Sequence, residues 1–295
     1  MKHTPGARLA IRIALFYCTF TGLCQGIQGQ AEIPFRLVRD TIIMVPMMAN
    51  GQGPFEFVLD TGADTTIVDT SLAARLSLRA RKTVQQTTLA GARSLMVGLL
   101  DTLAAGPAQI EDFPALVQDL AELRKLDPEI KGIAGQDFLS HFNYLLNYPG
   151  HSIRIEATNE IQEAIVGDPV PMGTIGNRML VASEAESQGR VRIRLLLDSG
   201  ANAVVLMPRA SQALELVAKQ NGLEITCSGR VGLHVGRLQE LKVGNQQFQN
   251  IAVAVSAAAP AERIGDGLFP TKLFKLLYVN NRQGFVIFNP RPRKN

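Results

Sequence analysis

The chain repeats itself at a fixed spacing, and the repeat carries an acid. Phe57-Val58-Leu59-Asp60-Thr61-Gly62-Ala63 returns as Leu195-Leu196-Leu197-Asp198-Ser199-Gly200-Ala201, a shift of 198 − 60 = 138 positions. In each copy an apolar run of β type ends in a carboxylate, then a small hydroxyl residue, then a glycine that lets the backbone turn sharply. The same shift carries Gly51 onto Gly189, Leu100 onto Leu238, Gly106 onto Gly244 and Val117 onto Val255. Flanks that repeat at one offset mark a duplicated fold rather than a chance tripeptide. Further on the spacing reads 267 − 135 = 132, which pairs Gly135 with Gly267, Phe142 with Phe274 and Ile155 with Ile287. On that reading the second copy is 138 − 132 = 6 residues shorter, in the region that holds Ala121 to Lys131 in the first.

From about Pro34 to Pro290 the pattern resembles the retropepsin-type aspartic proteases, with two lobes fused in one chain as in pepsin-like enzymes. Asp60-Thr61-Gly62-Ala63 and Asp198-Ser199-Gly200-Ala201 carry the resemblance, each followed by a hairpin and later by an apolar-apolar-Gly segment before a short helix. In the first half that segment is Ile133-Ala134-Gly135, followed by Gln136-Asp137-Phe138-Leu139. The resemblance implies an all-β fold with a few short helices, bilobal and pseudo-twofold, made of two β-barrel lobes at 32–165 and 177–290. A linker would occupy 166–176 and a basic tail 291–295. It implies catalytic roles for Asp60 and Asp198, supporting roles for Thr61, Gly62, Ser199 and Gly200, and substrate contacts for Asp64 and for Gly91 in a flap hairpin. In the second half, Gly265-Asp266-Gly267-Leu268-Phe269 departs from the pattern by setting Asp266 where the family packs an apolar residue behind the active loop.

The chemistry fits the pair. Two close carboxylates cannot comfortably ionise together, so they share a proton, and one can take a proton from water while the other gives one to a carbonyl oxygen. The expected activity is hydrolysis of a peptide or protein by an aspartic endopeptidase, with no cofactor. No Cys-x-x-Cys or His-Glu-x-x-His spacing is present, so no metal site is expected either. The alternative is a protein that keeps the fold and binds peptides without cleaving them. Glycosidases also use two carboxylates, but those acids rarely sit in duplicated Asp-Thr/Ser-Gly loops.

Composition sets the frame. At 295 residues, 46% hydrophobic and 19% charged, the chain can bury a large core or two ordinary ones. The net charge of +4 is scattered and no nucleic-acid motif is present. Residues 1–31 read as a signal peptide, with Lys2, Arg8 and Arg12, an apolar run from Ile13 to Phe20, and small residues before a cleavage point after Ala31. The run is too short to span a membrane, so the expectation is a periplasmic or extracellular monomer, or one tethered through its N-terminus. Cys18 and Cys24 fall in this segment, which leaves Cys227 as a small core residue without a disulfide partner.

Local signals place the elements. Asn50-Gly51 reads as a hairpin turn, Asp69 as the cap of a helix over Ser71 to Leu76, and Asp137 as the cap of the helix carrying Phe138 and Leu139. Thr83 to Leu89 and Ser94 to Leu100 read as a hairpin with Ala90-Gly91-Ala92-Arg93 at its tip, and Glu224 to Val235 as its second copy. Tyr144 to Leu146 and Ile153 to Ile155 are expected to close the first lobe, and Pro208 to open a helix through Ala218 that Gly222 ends.

Overall fold

The computed structural model describes residues 32–88, 91–156, 160–216, 220–226, 229–256 and 265–294. The expected signal peptide and Cys227 lie outside the described residues. Asn50 and Gly51, both at positive φ, make the turn that joins Ile42–Ala49 to Gln52–Leu59. Glycine adopts that conformation without steric cost and asparagine at little, so this turn is set locally. Gln52–Leu59 then runs inward, with Phe57, Val58 and Leu59 buried, and delivers Asp60 at its end.

Each half closes into a six-stranded barrel. In the first, the order is Ile42–Ala49, Gln52–Leu59, Ile130–Ala134, Ile67–Asp69, Ala108–Gln118 and Gly91–Ala105, closed by Met48 and Ala49 pairing with Ala104 and Leu103. In the second it is Arg178–Glu186, Arg190–Asp198, Gly267–Pro270, Val204–Leu206, Gln246–Ser256 and Gly229–Val243, closed by Ser183–Glu186 against Glu240–Val243. Closure removes the exposed edges that open sheets must protect. The duplication persists in fine detail. Gly106 and Gly244 both turn at positive φ, and so do Asp112 and Asn250, each pair 138 apart.

The register corrects part of the sequence reading. Val58 and Leu59 pair with Ile133 and Ala134, whereas Leu196 and Leu197 pair with Leu268 and Phe269, so the offset here is 268 − 133 = 135. Gly267 therefore matches Gly132, not Gly135, whose counterpart is Pro270. Both matched glycines are required by packing: a Cβ would come within 2.7 Å of Ile67 O at Gly132 and within 2.3 Å of Val205 O at Gly267. In this register Leu268 takes the apolar place behind the active loop. Asp266 sits outside it, accepting a 2.8 Å hydrogen bond from the Arg194 amide. The departure read at Asp266 is therefore corrected by the register.

The closing strands also differ from expectation. Asn143–Asn147 pairs with Ser152–Glu156, but its other edge pairs with Leu276–Asn280 of the second half, so these strands join the lobes rather than close one. The resulting sheet runs Glu32–Pro34, Ser152–Glu156, Asn143–Asn147, Leu276–Asn280, Phe285–Phe288 and Pro169–Ile175. The expected linker at 166–176 is thus mostly strand, and Arg291–Pro292 of the tail pairs with Ile165–Val166. Asn143↔Glu156 and Leu277↔Phe288 give a half-to-half offset of 133 in this sheet, from (277 + 288 − 143 − 156)/2. The second half is shorter by 138 − 133 = 5 residues, lost in two places.

The short helices that follow Ile67–Asp69 and Val204–Leu206 end alike. Asp69 caps Thr70–Arg75 as expected, its carboxylate accepting from the Ser71 amide, and Ser77 at positive φ ends the helix. The second-half helix is Pro208–Ala213, ended by Glu215 at positive φ, not one that reaches Ala218. Gly222 lies instead in the strand Gln220–Thr226, opposite Leu233. Asp137 is not a cap: Gly135 holds that position, before Gln136–Leu139.

Candidate active site

Asp60 and Asp198 end the two equivalent central strands, and the strand geometry brings them together. Asp60 N donates to Ala134 O at 3.0 Å, which fixes the loop at the point where the strand stops. One Asp60 carboxylate oxygen accepts from the Gly62 and Ala63 amides at 2.9 and 3.0 Å. Asp198 repeats this with Gly200 and Ala201 at 2.8 and 3.1 Å. The two carboxyl groups are close enough to affect each other's protonation. Burial pushes the Asp60 carboxyl above its ordinary value, while the two amides and Asp198 pull it down; burial prevails. Asp198 is itself only 9% exposed.

The hydroxyls lock the loops across the lobes. Thr61 Oγ1 donates to Leu197 O at 2.8 Å and Ser199 Oγ donates to Leu59 O at 2.7 Å. In return Ser199 N donates to Thr61 Oγ1 and Thr61 N to Ser199 Oγ, at 2.9 and 3.0 Å. All four bonds are buried, where an unmade bond costs about 1–3 kcal/mol, so the lobes hold one relative placement at this point. Glycine is imposed at the neighbouring position. A Cβ on Gly62 would lie 2.5 Å from Asp198 Cγ, and one on Gly200 would lie 3.1 Å from Asp60 Cγ. Each glycine thus lies against the opposite acid.

The chain matches the family model described as Aspartyl protease twice, over residues 45–138 and 183–269. The protein belongs to the aspartyl protease family. Comparison with curated proteins gives no match. Both family segments contain one Asp-Thr/Ser-Gly loop, so the repeat read from the sequence is a repeat of the family's own unit.

The structure brings together Asp60, Thr61, Gly62, Asp198, Ser199 and Gly200, the six residues singled out from the motifs. Asp64 lies apart from them. Its carboxylate accepts from the Asn177 amide at 2.6 Å, in the turn before Arg178–Glu186, and ties the first loop to the second lobe. Gly91 is paired with Thr88 at the end of the hairpin formed by Ala80–Thr88 and Gly91–Ala105, so it opens the returning strand instead of forming the tip. Residues 89 and 90 between them lie outside the described residues, as do 227 and 228 in the second hairpin.

Sequence reasoning missed the supports. Thr66 N and Oγ1 donate to Asp137, at 2.8 and 2.6 Å from Oδ1, and Gly135 N donates to Thr66 Oγ1 at 3.1 Å. Gln136 N donates to Ala63 O at 2.8 Å and Gln136 Nε2 to Thr61 O at 3.2 Å, so both ends of the Asp60 loop are held. Burial raises the Asp137 carboxyl, against hydrogen bonds from Thr66 that lower it. The sequence places Gln136 after the apolar-apolar-Gly segment but gives it no role, because a glutamine after a glycine carries no periodic or spacing signal.

Proposed function

We propose that the protein is an aspartic endopeptidase in which Asp60 and Asp198 activate a water for attack on a peptide carbonyl. The observation that carries this reading is the facing of the two carboxyl groups, each presented from its own lobe on a pair of backbone amides and each lying against the glycine of the other's loop. One proton shared by the pair lets the ionised partner accept a proton from water as its oxygen attacks the carbonyl carbon. The protonated partner gives its proton to the carbonyl oxygen, forming a neutral gem-diol. Collapse of that species breaks the C–N bond as the amine takes a proton, and the pair returns to one shared proton. Because one chain supplies both acids, a monomer suffices. The export-type segment read at 1–31 supports a periplasmic or extracellular setting, free or tethered through that segment.

A peptide-library digest by the purified protein tests the reading. Internal cleavage is expected, blocked by a statine-type hydroxyl-bearing transition-state mimic and indifferent to chelators. Binding of that mimic without any cleavage would instead establish a peptide-binding protein on this fold.

A further inference from the structure

Two buried tyrosines lie in one segment of the first lobe and both reach the second lobe. Tyr144 lies in Asn143–Asn147, the strand that pairs with Leu276–Asn280 of the other lobe, and Tyr148 follows that strand. Tyr144 is fully buried and its hydroxyl donates to Met179 Sδ of the second lobe at 3.8 Å. Tyr148 reaches the same lobe at another point. Its amide donates to Lys275 O at 3.0 Å, and its hydroxyl lies 2.5 Å from Thr271 Oγ1 in a hydrogen bond. Thr271 has no exposed surface and directly follows Pro270, the register partner of Asp198 in the parallel strand pair.

The repeat shows what is particular here. Thr271 is the counterpart of Gln136, since 271 − 136 = 135, the offset of the strands that precede them. Asn281 is the counterpart of Tyr148, since 281 − 148 = 133, the offset of the interlobe sheet. Asn281 Nδ2 donates to Phe142 O and Leu139 O, at 2.6 and 3.1 Å, so each lobe's turn grips the helical turn of the other. Of these two braces, the one directed at the Asp198 half ends in a hydroxyl pair. Burial drives the Tyr148 phenol far above its ordinary value, the Thr271 bond opposes this, and the charge of Asp198 adds to it. The phenol therefore stays neutral throughout the working range and acts as a fixed dipole rather than as an acid.

We infer that Tyr148, acting through Thr271, is a positioning residue for the Asp198 half of the site, an inference that rests on the proteolytic reading above. Thr271 directly follows Pro270, the residue paired with Asp198, so a hydroxyl that fixes Thr271 also fixes the depth at which the Asp198 carboxylate meets Asp60. Such depth matters because a misplacement of about 1 Å can lower a rate by about a hundredfold.

Tyr148→Phe and Thr271→Val each remove one hydroxyl and keep the volume. Each is expected to lower kcat by about ten- to a hundredfold with KM unchanged, and the double variant to be no worse than the more damaged single one, since both cut the same bond. Carbon-13 NMR titration of the aspartate side chains reads the pair without turnover, and Tyr148→Phe should lower its upper titration as water gains access. Tyr278→Phe is the control, a buried phenol lost from the same sheet where its hydroxyl serves Glu156 instead; it should leave the titration in place. Tyr148→Phe with unchanged kcat and titration would overturn the inference, as would an equal titration shift in Tyr278→Phe. If the wild-type protein cleaves nothing, the proteolytic reading fails and the titration alone decides the role of Tyr148.

Discussion

Thr61 and Ser199 each place a hydroxyl between the amide of the other and a carbonyl that precedes the other's aspartate, Leu197 O for Thr61 and Leu59 O for Ser199. Thr61→Val keeps the shape but leaves Leu197 O and the Ser199 amide buried without a partner. At about 1–3 kcal/mol for each unsatisfied group, the loss is about 2–6 kcal/mol. Thermal melting should register it as a drop of many degrees, whereas Thr61→Ser should melt close to wild type. Equal melting of the valine variant and wild type would show that the lobes are held elsewhere.

The two glycines are not equally tight. A methyl on Gly62 meets Asp198 Cγ at 2.5 Å, far inside contact distance, while one on Gly200 meets Asp60 Cγ at 3.1 Å, which a small shift relieves. Gly62→Ala should therefore cut kcat by about a hundredfold or more, and Gly200→Ala by clearly less. Reversal of that order in steady-state kinetics would contradict the packing.

Asn in place of either acid keeps the size and removes the proton exchange. Asp60→Asn and Asp198→Asn should each abolish cleavage while circular dichroism stays native, because the acid-base cycle needs both groups. Cleavage at the wild-type rate by either variant would end the two-acid mechanism.

The pH profile follows from Ala63 and Ala201. Each offers its carboxylate only a backbone amide, and both pack on apolar clusters that include Val58, Ile67 and Ile133 in one lobe and Leu196, Val205 and Leu268 in the other. A hydroxyl there would favour the ionised form; without it, burial holds Asp60 above its ordinary value. Activity should peak at about pH 4 to 6.5, and Ala63→Ser or Ala201→Ser should extend the acid limb downward. A maximum below about pH 3 in the unmodified protein would point to another hydrogen-bond donor.

Stability should also peak in mild acid. Burial raises Asp60, Asp137 and Glu156, so in the folded chain they hold protons that the unfolded chain has released. Their contribution is full below the unfolded values and fades as pH rises through the folded ones. Asp69 and Asp127 work in the opposite sense. Burial acts to raise Asp69, but bonds from Ser71 and Leu120 and the Arg124 charge outweigh it, and Arg36 holds Asp127 down. The stability these two contribute is lost as pH falls through their lowered values, so the melting temperature should be highest near about pH 4–5. Glu156→Gln removes one buried charge and should raise the melting temperature at pH 7 while changing little at pH 4; the reverse pattern would refute the assignment.

The duplication, the two acid-bearing loops and the strands that feed them are legible along the chain. Those features are local: an apolar run, a carboxylate, a hydroxyl and a glycine lie within a few residues of one another, and their spacing survives in the chain whatever surrounds it. The Asn50-Gly51 turn and the Asp69 cap belong to the same class, since each is satisfied by neighbours in sequence.

Which edges meet, and in what register, follows from long-range pairing in the folded molecule. Asn143–Asn147 reads alike whether it closes its own lobe or pairs with Leu276–Asn280, because both partners offer the same apolar faces and free backbone groups. The place of Asp266 turned on whether Gly267 matches Gly132 or Gly135, a choice made by strand pairing and not by the glycines. Asp64, Gln136, Tyr148 and Thr271 act through partners 113, 75, 123 and 123 positions away, respectively. Over such separations a side chain's role is set by the folded surface it is pressed against, and periodicity along the chain carries no record of it.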